Sequence, residues 1–453
     1  MDLLFTIASF LVALAILIFV HEFGHFWVAR RLGVKVLRFS IGFGRPLLRR
    51  QRDADSTEYV LAGIPLGGYV KMLDEREGEV PPEQLHLAFN RQPVWKRSAI
   101  VAAGPLFNFA FAILAYWAIF ASGETGLRPL VGEVAPDSIA AEAGFQRGDE
   151  LLRIGDRPSP MWDGAVYALM AEALEHKDLR VRVRDASGAE QDRWISGERL
   201  ADLSEAPNVL ERLGLSPSRP PLPPVIGELT PGEPAERAGL RVGDRILAVD
   251  GAPLEDWRAW VDLVRESPGA ELRVEIEREG ERLDLAVTPR AVAADGATIG
   301  RIGAGVQARD DLLEPYRVEV RFGPLEALSQ SVHKTFDMSQ LMLRVLGQML
   351  VGQASVENLS GPITIAETAG RTASYGLEYF VKFLAVVSIS LGVLNLLPIP
   401  ILDGGHLLYF LIEWVKGSPL SEQTQLQGQR IGIALLAALM TLAFYVDLSR
   451  LFG

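Results

Sequence analysis

The chain begins with an apolar segment that runs directly into a pair of histidines. Leu3–Val20 contains only Thr6 and Ser9 as polar residues, and a helix of this length crosses most of a lipid bilayer. The sequence His21-Glu22-Phe23-Gly24-His25 follows without a break. Residues four apart project from one face of a helix, so both imidazoles point the same way with Glu22 beside them. In metalloproteases this arrangement supplies two metal ligands and a general base.

The alternative is a chance pair of packed or solvated histidines. The chain has only six histidines, so a pair at helical spacing around a glutamate is uncommon by chance. Ionisable residues at membrane depth are costly and mark functional sites by default. The sequence therefore predicts a first transmembrane helix at residues 1–29 that carries a catalytic metal site. Two histidines do not complete such a site, so a third ligand must come from elsewhere.

Composition narrows the possible functions. Hydrophobic residues make up 49% of the 453 residues, which indicates membrane and soluble parts in one chain. The net charge of −12 argues against a nucleic-acid partner. The chain has no cysteine, so the metal ligands must be His, Asp or Glu and there are no disulfides. The N-terminus lacks a basic region and its apolar run is too long for a signal peptide, so we expect a retained membrane helix.

A basic segment at residues 30–97 sets the expected topology. Between Arg30 and Arg97 there are 13 Lys and Arg against 8 Asp and Glu, which places this loop in the cytoplasm and the N-terminus outside. Within it, Glu58–Met72 has the pattern of two short strands around a Gly/Pro turn. Its apolar content favours a hairpin that dips into the membrane or lies on the helix with the histidines. An ordinary soluble hairpin is an equal alternative.

Two further spans are predicted at residues 98–121 and 430–449. Together with the first span and a span at residues 376–408 they give four membrane crossings, which places both termini outside. The span at 98–121 contains Asn108. An amide in hydrocarbon needs a partner, so Asn108 should face the interior of the helix bundle. It either joins two helices or lies near the catalytic centre, and the first role is favoured.

The remaining span, at residues 376–408, should end in irregular backbone. Asn395–His406 contains two prolines and two glycines, which cannot continue a regular helix. Irregular backbone at membrane depth is tolerated only where it lines a cavity or is buried in protein. Asp403 is a carboxylate in such a place, so we favour it as the third metal ligand. His406 is a nearby alternative for the same role.

The middle of the chain contains an internal repeat. Gly132–Pro136 (GEVAP) recurs 95 residues later as Gly227–Pro231 (GELTP), and Ala143–Asp149 (AGFQRGD) recurs as Ala238–Asp244 (AGLRVGD). Two copies of one domain are therefore predicted, at residues 124–215 and 222–310, outside the membrane. Their Ala-Gly-x-x-x-Gly-Asp turn followed by an apolar strand resembles that of bacterial PDZ domains. Such domains add a peptide as a strand to a sheet edge, which is the favoured role. Spacers or steric shields that bind no peptide are the alternative.

Residues 322–373 carry an apolar stripe at helical spacing. The stripe includes Leu325, Leu328, Val332 and Phe336, with polar residues on the other faces. We expect amphipathic helices on the outer membrane surface. Packing against the two repeats is the alternative.

The two membrane motifs together resemble those of the site-2 protease family of intramembrane zinc proteases, over essentially the whole chain. The resemblance implies that His21, His25 and Asp403 bind one zinc ion and that Glu22 activates water. It implies that Asn395 handles substrate, and Pro65–Met72 fits the family's membrane-associated hairpin. That hairpin, with Gly67, Gly68 and Tyr69, offers an edge to hold an unwound substrate.

The expected fold is a multi-pass α-helical membrane protein with four transmembrane helices, a membrane-associated β-hairpin and two PDZ-like α+β domains between the second and third spans. The resemblance implies cleavage of single-pass transmembrane segments in the lipid bilayer. In bacteria the implied substrate is an anti-sigma factor already trimmed by another protease. The implied location is the inner membrane, with the PDZ-like domains in the periplasm and the active site towards the cytoplasm. Clearance of remnant signal peptides and a non-catalytic PDZ adaptor are the alternatives.

Overall fold

The computed structural model describes residues 3–53, 55–173, 177–204, 209–218, 220–294, 297–307, 310–351 and 361–452. These residues fall into two compact units. The first, the helical unit, contains residues 1–124 and 319–453. The second, the repeat unit, contains residues 125–203 and 208–318.

Helices dominate the first unit and are short in the second. They are α1 (Leu3–Arg31), α2 (Val94–Ser122), α3 (Ile139–Glu142), α4 (Trp162–Ala173), α5 (Gly197–Ser204), α6 (Val209–Leu213), α7 (Pro234–Arg237), α8 (Trp257–Glu266), α9 (Pro324–Leu350), α10 (Pro362–Tyr375), α11 (Leu377–Leu396), α12 (Asp403–Lys416) and α13 (Glu422–Phe452). Short 3₁₀ helices lie at Pro82–Leu87, Phe89–Arg91 and Asp310–Tyr316.

Strands are concentrated in the repeat unit. They are β1 (Val36–Arg50), β2 (Glu58–Met72), β3 (Glu124–Leu127), β4 (Val131–Val134), β5 (Glu150–Ile154), β6 (Arg157–Pro158), β7 (Leu179–Arg184), β8 (Glu190–Ile195), β9 (Leu215–Pro217), β10 (Ile226–Leu229), β11 (Arg245–Val249), β12 (Ala252–Pro253), β13 (Leu272–Arg278), β14 (Glu281–Val287), β15 (Arg290–Ala294), β16 (Ala297–Arg301), β17 (Ala304–Val306) and β18 (Arg317–Val320).

Among the described residues, four helices are long and apolar enough to span a membrane: α1, α2, α11 and α13. This agrees with the four predicted spans and makes the chain a multi-pass membrane protein. Helix α2 lies at the centre of the helical unit, where it packs against α1, α9, α11 and α12. Its buried face is rich in small residues, including Ala103, Gly104, Ala112 and Ala115. Small residues let membrane helices approach closely, which is how α2 accommodates several neighbours.

The predicted break near the C-terminal motif is present. Helix α11 ends at Leu396 and α12 begins at Asp403, so the Pro-rich segment between them is not helical. Ile401 in this segment has a φ of +107°. A β-branched residue with positive φ is a strained conformation, which is found mainly at functional sites. Asp403 therefore occupies the first turn of a new helix rather than the end of the span.

Glu58–Met72 forms one strand, β2, that contains two separately paired stretches. Residues Arg38–Ile41 of β1 pair both with Glu58–Leu61 and with Gly68–Lys71, so the two stretches lie on opposite sides of the same β1 residues. The Gly/Pro cluster separates the two stretches, and Gly67 within it adopts a φ of +120°. The two stretches around a Gly/Pro segment agree with the prediction, although β2 is not interrupted between them.

The amphipathic segment forms two helices that belong to the helical unit. Helix α9 packs against α2 and α11 through a buried face that contains Ala327, Ser331 and Thr335. Helix α10 packs against α1, α11 and α13. Both helices therefore extend the bundle, and their placement on the outer membrane surface stays a prediction.

The internal repeat is present as two copies of one fold. The matching elements are β4 and β10, α3 and α7, β5 and β11, β6 and β12, α4 and α8, β7 and β13, β8 and β14, and β9 and β17. Each copy has a four-stranded antiparallel sheet, ordered β6-β5-β7-β8 or β12-β11-β13-β14, and a two-stranded sheet, β4-β9 or β10-β17. The copies differ before their last strand, where the first has helices α5 and α6 and the second has the hairpin β15–β16. Each copy has its own hydrophobic core.

Candidate metal centre

Two helices of the helical unit bring three potential metal ligands together. His21 and His25 lie one turn apart on α1, and Asp403 opens α12. The Nε2 atoms of the histidines are 3.2 Å apart. Asp403 Oδ2 lies 3.2 Å from His21 Nε2 and 3.5 Å from His25 Nε2. Among the described residues, this is the cluster of His, Asp and Glu side chains with the geometry to hold a metal ion.

The spacing of these three atoms fits a tetrahedral zinc ion. Zinc bonds to nitrogen and oxygen are about 2.0–2.1 Å long, so neighbouring ligand atoms in a tetrahedron are ~3.3 Å apart. Within the described part of the chain, Asp403 Oδ2 is buried and has no hydrogen-bond partner. A buried carboxylate oxygen without a donor needs a cation, and two imidazole lone pairs aimed at the same point supply the other ligands. The donor set therefore fits zinc with one position left for water.

Helix α2 contacts both imidazoles at their Nδ1 atoms, the ring nitrogens that do not face Asp403. The Nδ1–H of His25 donates to the carbonyl oxygen of Ile100, at 2.9 Å. The side-chain amide of Asn108 lies 3.1 Å from His21 Nδ1. Of the two roles considered for Asn108, the structure therefore supports the one near the metal centre. Asn108 is fully buried, and its backbone carbonyl also accepts a hydrogen bond from Ser388 Oγ on α11.

Glu22 lies next to the β-hairpin as well as the histidines. A Cβ atom at Gly68 of β2 would be only 2.9 Å from Glu22 Cγ and 2.9 Å from the Ile18 side chain. The hairpin therefore packs its backbone directly onto α1 at the catalytic motif, which a larger residue at position 68 would prevent. This contact brings a strand edge beside the proposed general base.

The other predicted substrate residues, Gly67, Tyr69 and Asn395, lie on β2 and at the end of α11. Gly67 precedes Gly68 in β2, and the Phe43 ring fills the space where its side chain would be. The Tyr69 hydroxyl accepts a hydrogen bond from Arg38, at 3.1 Å, and its ring stacks on Phe43. Asn395 is half-buried in the last turn of α11.

His406 does not join the ligand cluster. It lies one turn along α12 from Asp403, and its ring contacts Tyr409, with centroids 6.2 Å apart. The structure therefore favours Asp403 over His406 as the third ligand. A ligand on the first residue of a helix can be directed by the strained segment before it, whereas His406 lies within the regular helix.

Sequence reasoning missed two α2 contacts of the histidines. A Cβ at Gly104 would overlap His25 Nε2 and lie 2.8 Å from His21 Cε1, so the imidazoles occupy the space that any other side chain would fill. Ile100 contributes only a backbone carbonyl, which no side-chain pattern can reveal. The Gly104-Pro105 pair inside an apolar helix was the one available signal for a close approach.

Comparison with known proteins identifies the family. Residues 9–439 match peptidase family M50. The regulator of sigma-E protease RseP of Escherichia coli K12 is 46% identical over 452 residues, which cover 100% of both chains. A Neisseria meningitidis protein whose name proposes a zinc metalloprotease is 44% identical over 449 residues, 99% of this chain and 100% of its own. These matches span nearly every residue of the helical and repeat units, and the chain belongs to peptidase family M50, the site-2 proteases.

Proposed function

We propose that this protein is a zinc-dependent endopeptidase that hydrolyses peptide bonds within membrane-spanning segments of other proteins. The observation that carries the proposal is the convergence of three potential ligand atoms, two of them on α1, a helix apolar enough to span a membrane, and the third at the start of α12. Membership of a peptidase family fixes the class of reaction. A relative whose name proposes a zinc metalloprotease supports zinc as the ion, one per chain.

In this proposal His21, His25 and Asp403 hold the ion, and Glu22 is the general base. Bound zinc would polarise the scissile carbonyl and make water more acidic. Glu22 accepts the proton of the attacking water and passes it to the leaving amide nitrogen. Glu22 follows His21 on α1, and its carboxylate interacts electrostatically with His21, His25 and Asp403.

The hairpin is proposed to present the substrate. A helical substrate hides its carbonyls in hydrogen bonds, so it must unwind before water can attack. Strand β2 belongs to a two-stranded sheet, and its Gly68 backbone lies against Glu22. An unwound segment that pairs with this strand as an added β-strand would place its carbonyls near the metal. Gly67 and Tyr69 flank that position, and Asn395 is proposed to contact the substrate from the end of α11.

The substrate class follows from the relatives. The E. coli relative is named for regulation of sigma-E, which supports a role for this protein in the corresponding bacterial regulatory pathway. We propose as substrate a single-pass anti-sigma factor, cut after another protease has trimmed it. Remnant signal peptides are single apolar helices too, so their clearance is a second candidate activity at the same site.

The two repeats are proposed to be PDZ-like domains in the periplasm, with the helical unit in the inner membrane and the metal centre towards the cytoplasm. The repeated order of strands and helices in both copies supports a common peptide-binding fold. The basic loop of residues 30–97 supports the orientation. A non-catalytic adaptor would share this architecture but would not need ligands arranged for zinc.

Cleavage of a reporter transmembrane helix by the purified protein in detergent or liposomes tests the proposal. Glu22→Gln keeps the three ligands and removes the base, so we expect bound zinc and no cleavage. Glu79→Gln makes the same chemical change at an exposed position and should leave cleavage intact. Cleavage by Glu22→Gln at the wild-type rate would refute the proposed mechanism.

The two substrate classes can be separated in cells. Membrane fragments that accumulate in cells carrying Glu22→Gln should be identified by mass spectrometry. A trimmed anti-sigma factor among them supports stress signalling, and an accumulation confined to signal-peptide remnants supports clearance.

A further inference from the structure

One row of residues on α2 contacts the two histidines of α1. Ile100, Gly104 and Asn108 are spaced four apart, so they form a single row along the helix. Ile100 contacts His25, Gly104 lies against both imidazoles, and Asn108 contacts His21. The row on α2 therefore follows the pair of histidines on α1.

The Ile100 contact fixes which nitrogen of His25 is free. A backbone carbonyl can only accept a hydrogen bond, so the 2.9 Å contact puts the proton of His25 on Nδ1. Its Nε2 then carries a lone pair, and Nε2 is the atom that faces Asp403 Oδ2, at 3.5 Å. In metal sites such a partner orients the ring and selects the nitrogen that binds the ion.

Asn108 can do the same for His21. Its side chain is fully buried, 3.1 Å from His21 Nδ1, and its Oδ1 has no hydrogen-bond partner within the described residues. Half a turn of the amide about its terminal bond exchanges nitrogen and oxygen. The amide oxygen then accepts from Nδ1–H, which satisfies the orphan oxygen and leaves the lone pair of Nε2 for the ion.

We propose that Asn108 is a positioning residue that holds His21 in the tautomer able to bind the metal, with Gly104 providing the space for both rings. The inference rests on the proposed metal site and adds a residue to it. It replaces the simpler role of Asn108 as a polar link between helices. That link exists, but it runs through the backbone carbonyl of Asn108 and Ser388 Oγ, at 2.9 Å, and does not use the side-chain amide.

The zinc dissociation constant of the full chain, measured by competition with a chelator, distinguishes the two roles. Asn108→Leu removes the partner of His21 Nδ1, and loss of such a partner weakens metal binding by about 10–100-fold. Asn108→Asp restores an acceptor for Nδ1–H and should return the affinity close to that of the wild type. Ser388→Ala, the matched control, breaks the link between α2 and α11 and should lower the melting temperature without changing zinc affinity.

Gly104→Ala provides a second test of the same row. Its Cβ would overlap His25 Nε2, so one or both rings must move and zinc affinity should fall. If Asn108→Leu bound zinc as tightly as the wild type, or if Ser388→Ala weakened zinc binding as much as Asn108→Leu did, the positioning role would be overturned. Failure of the Asp variant to recover affinity would also overturn it.

These readouts separate this inference from the proposed function. If the wild type and its variants bind zinc with the predicted order of affinities but the wild type does not cleave a membrane helix, the positioning role is supported and only the proposed activity is overturned. Wild-type protein that does not bind zinc overturns both.

Discussion

Two aspartates of the helical unit, the half-buried Asp403 and the buried Asp447, have their negative charges compensated in opposite ways. Asp403 faces two imidazole nitrogens and has a buried oxygen with no hydrogen-bond partner within the described residues. Asp447, on α13, is 1% exposed and is surrounded by donors at the start of α10. It accepts hydrogen bonds from the backbone N–H groups of Gly361, Ile363 and Thr364 and from Thr364 Oγ1, at 2.6–3.3 Å.

The difference separates a structural carboxylate from a functional one. A carboxylate at membrane depth is costly unless its charge is compensated. The N–H groups and the dipole at the start of α10 compensate Asp447 within the protein, so it needs no ion. The neighbours of Asp403 offer lone pairs instead of protons once their Nδ1 atoms carry the hydrogens, so in the proposed site the charge of Asp403 would be compensated by the metal. Buried acidic residues in this chain can therefore be classified by whether their neighbours donate or accept.

Substitution of Asp403 should give the largest effect. Asp403→Ala removes one of three ligands, so we expect zinc binding to weaken by more than about 100-fold and cleavage to become undetectable. The fold should survive, because the site supplies no donor that would be left unpaired. Zinc content and reporter cleavage of the purified variant check this, and full zinc content would show that Asp403 is not a ligand.

Asp447→Ala should lower the stability of the fold and leave zinc binding unchanged. It leaves several N–H groups and one hydroxyl at the start of α10 without their acceptor, which should lower stability by about 2–4 kcal/mol. Asp447→Asn keeps one acceptor oxygen and should lose less. Thermal unfolding and zinc content should be measured together. Loss of zinc from Asp447→Ala in protein that remains folded would remove the distinction between the two aspartates.

Removal of the metal should destabilise the wild type but not Asp403→Ala. An ion that binds only the folded state, at a free concentration of about 100 times its dissociation constant, stabilises by about 2.7 kcal/mol. A chelator should therefore lower the melting temperature of the wild type and of Glu22→Gln, which retains the ligands. An equal shift in Asp403→Ala would mean that the ion binds elsewhere.

The smallest effect concerns Asp244, an aspartate of the repeat unit whose charge is compensated by hydrogen-bond donors. Both its oxygens accept hydrogen bonds from Arg278, at 2.7 Å, and one also accepts from the Arg241 N–H, at 2.7 Å. Burial alone would raise the pKa of Asp244, but the Arg278 hydrogen bonds and the Arg241 N–H outweigh it and the pKa is lowered. A lowered pKa in the folded state stabilises the second repeat at any pH above the unfolded value of about 3.9.

That stabilisation is lost as the pH falls through the lower, folded-state pKa. The full chain should be equilibrated between pH 6 and pH 3, then pulse-labelled with deuterium at one common pH. In the wild type, peptides from β11 and β13 should take up more deuterium after equilibration at the lower pH. Asp244→Asn should be less stable at pH 6 and should show a smaller change with pH. An identical pH response in both proteins would show that protonation of Asp244 does not control the stability of this repeat.

Local patterns in the sequence predicted that His21, His25 and Asp403 would lie together, as they do in the structure. His21 and His25 share a face because of helical spacing, and prolines and glycines marked the break that ends at Asp403. The internal repeat was visible because equivalent turns need equivalent residues. Each of these signals lies within one short segment, where residue type and spacing dictate the geometry.

Long-range contacts were harder to predict. The sequence indicated the two stretches of β2, but it did not show that both of them pair with Arg38–Ile41 of β1. Asp447 meets the start of α10 across more than 80 residues, and Ile100 acts through a carbonyl that every residue possesses. The two repeats also share a sequence pattern while differing in the segment before their last strand. These features depend on which segments pack together. The types of the residues in one segment do not specify its packing partners.

X-ray absorption at the zinc edge, on the wild type and on Asp403→Ala, tests the central claim most directly. The account predicts one zinc per wild-type chain, bound by two imidazole nitrogens and carboxylate and water oxygens at about 2.0–2.2 Å. In any zinc-loaded Asp403→Ala protein, the two imidazoles should remain and the carboxylate contribution should disappear. A zinc ligand set without two imidazoles, or one unchanged by the loss of Asp403, would contradict it.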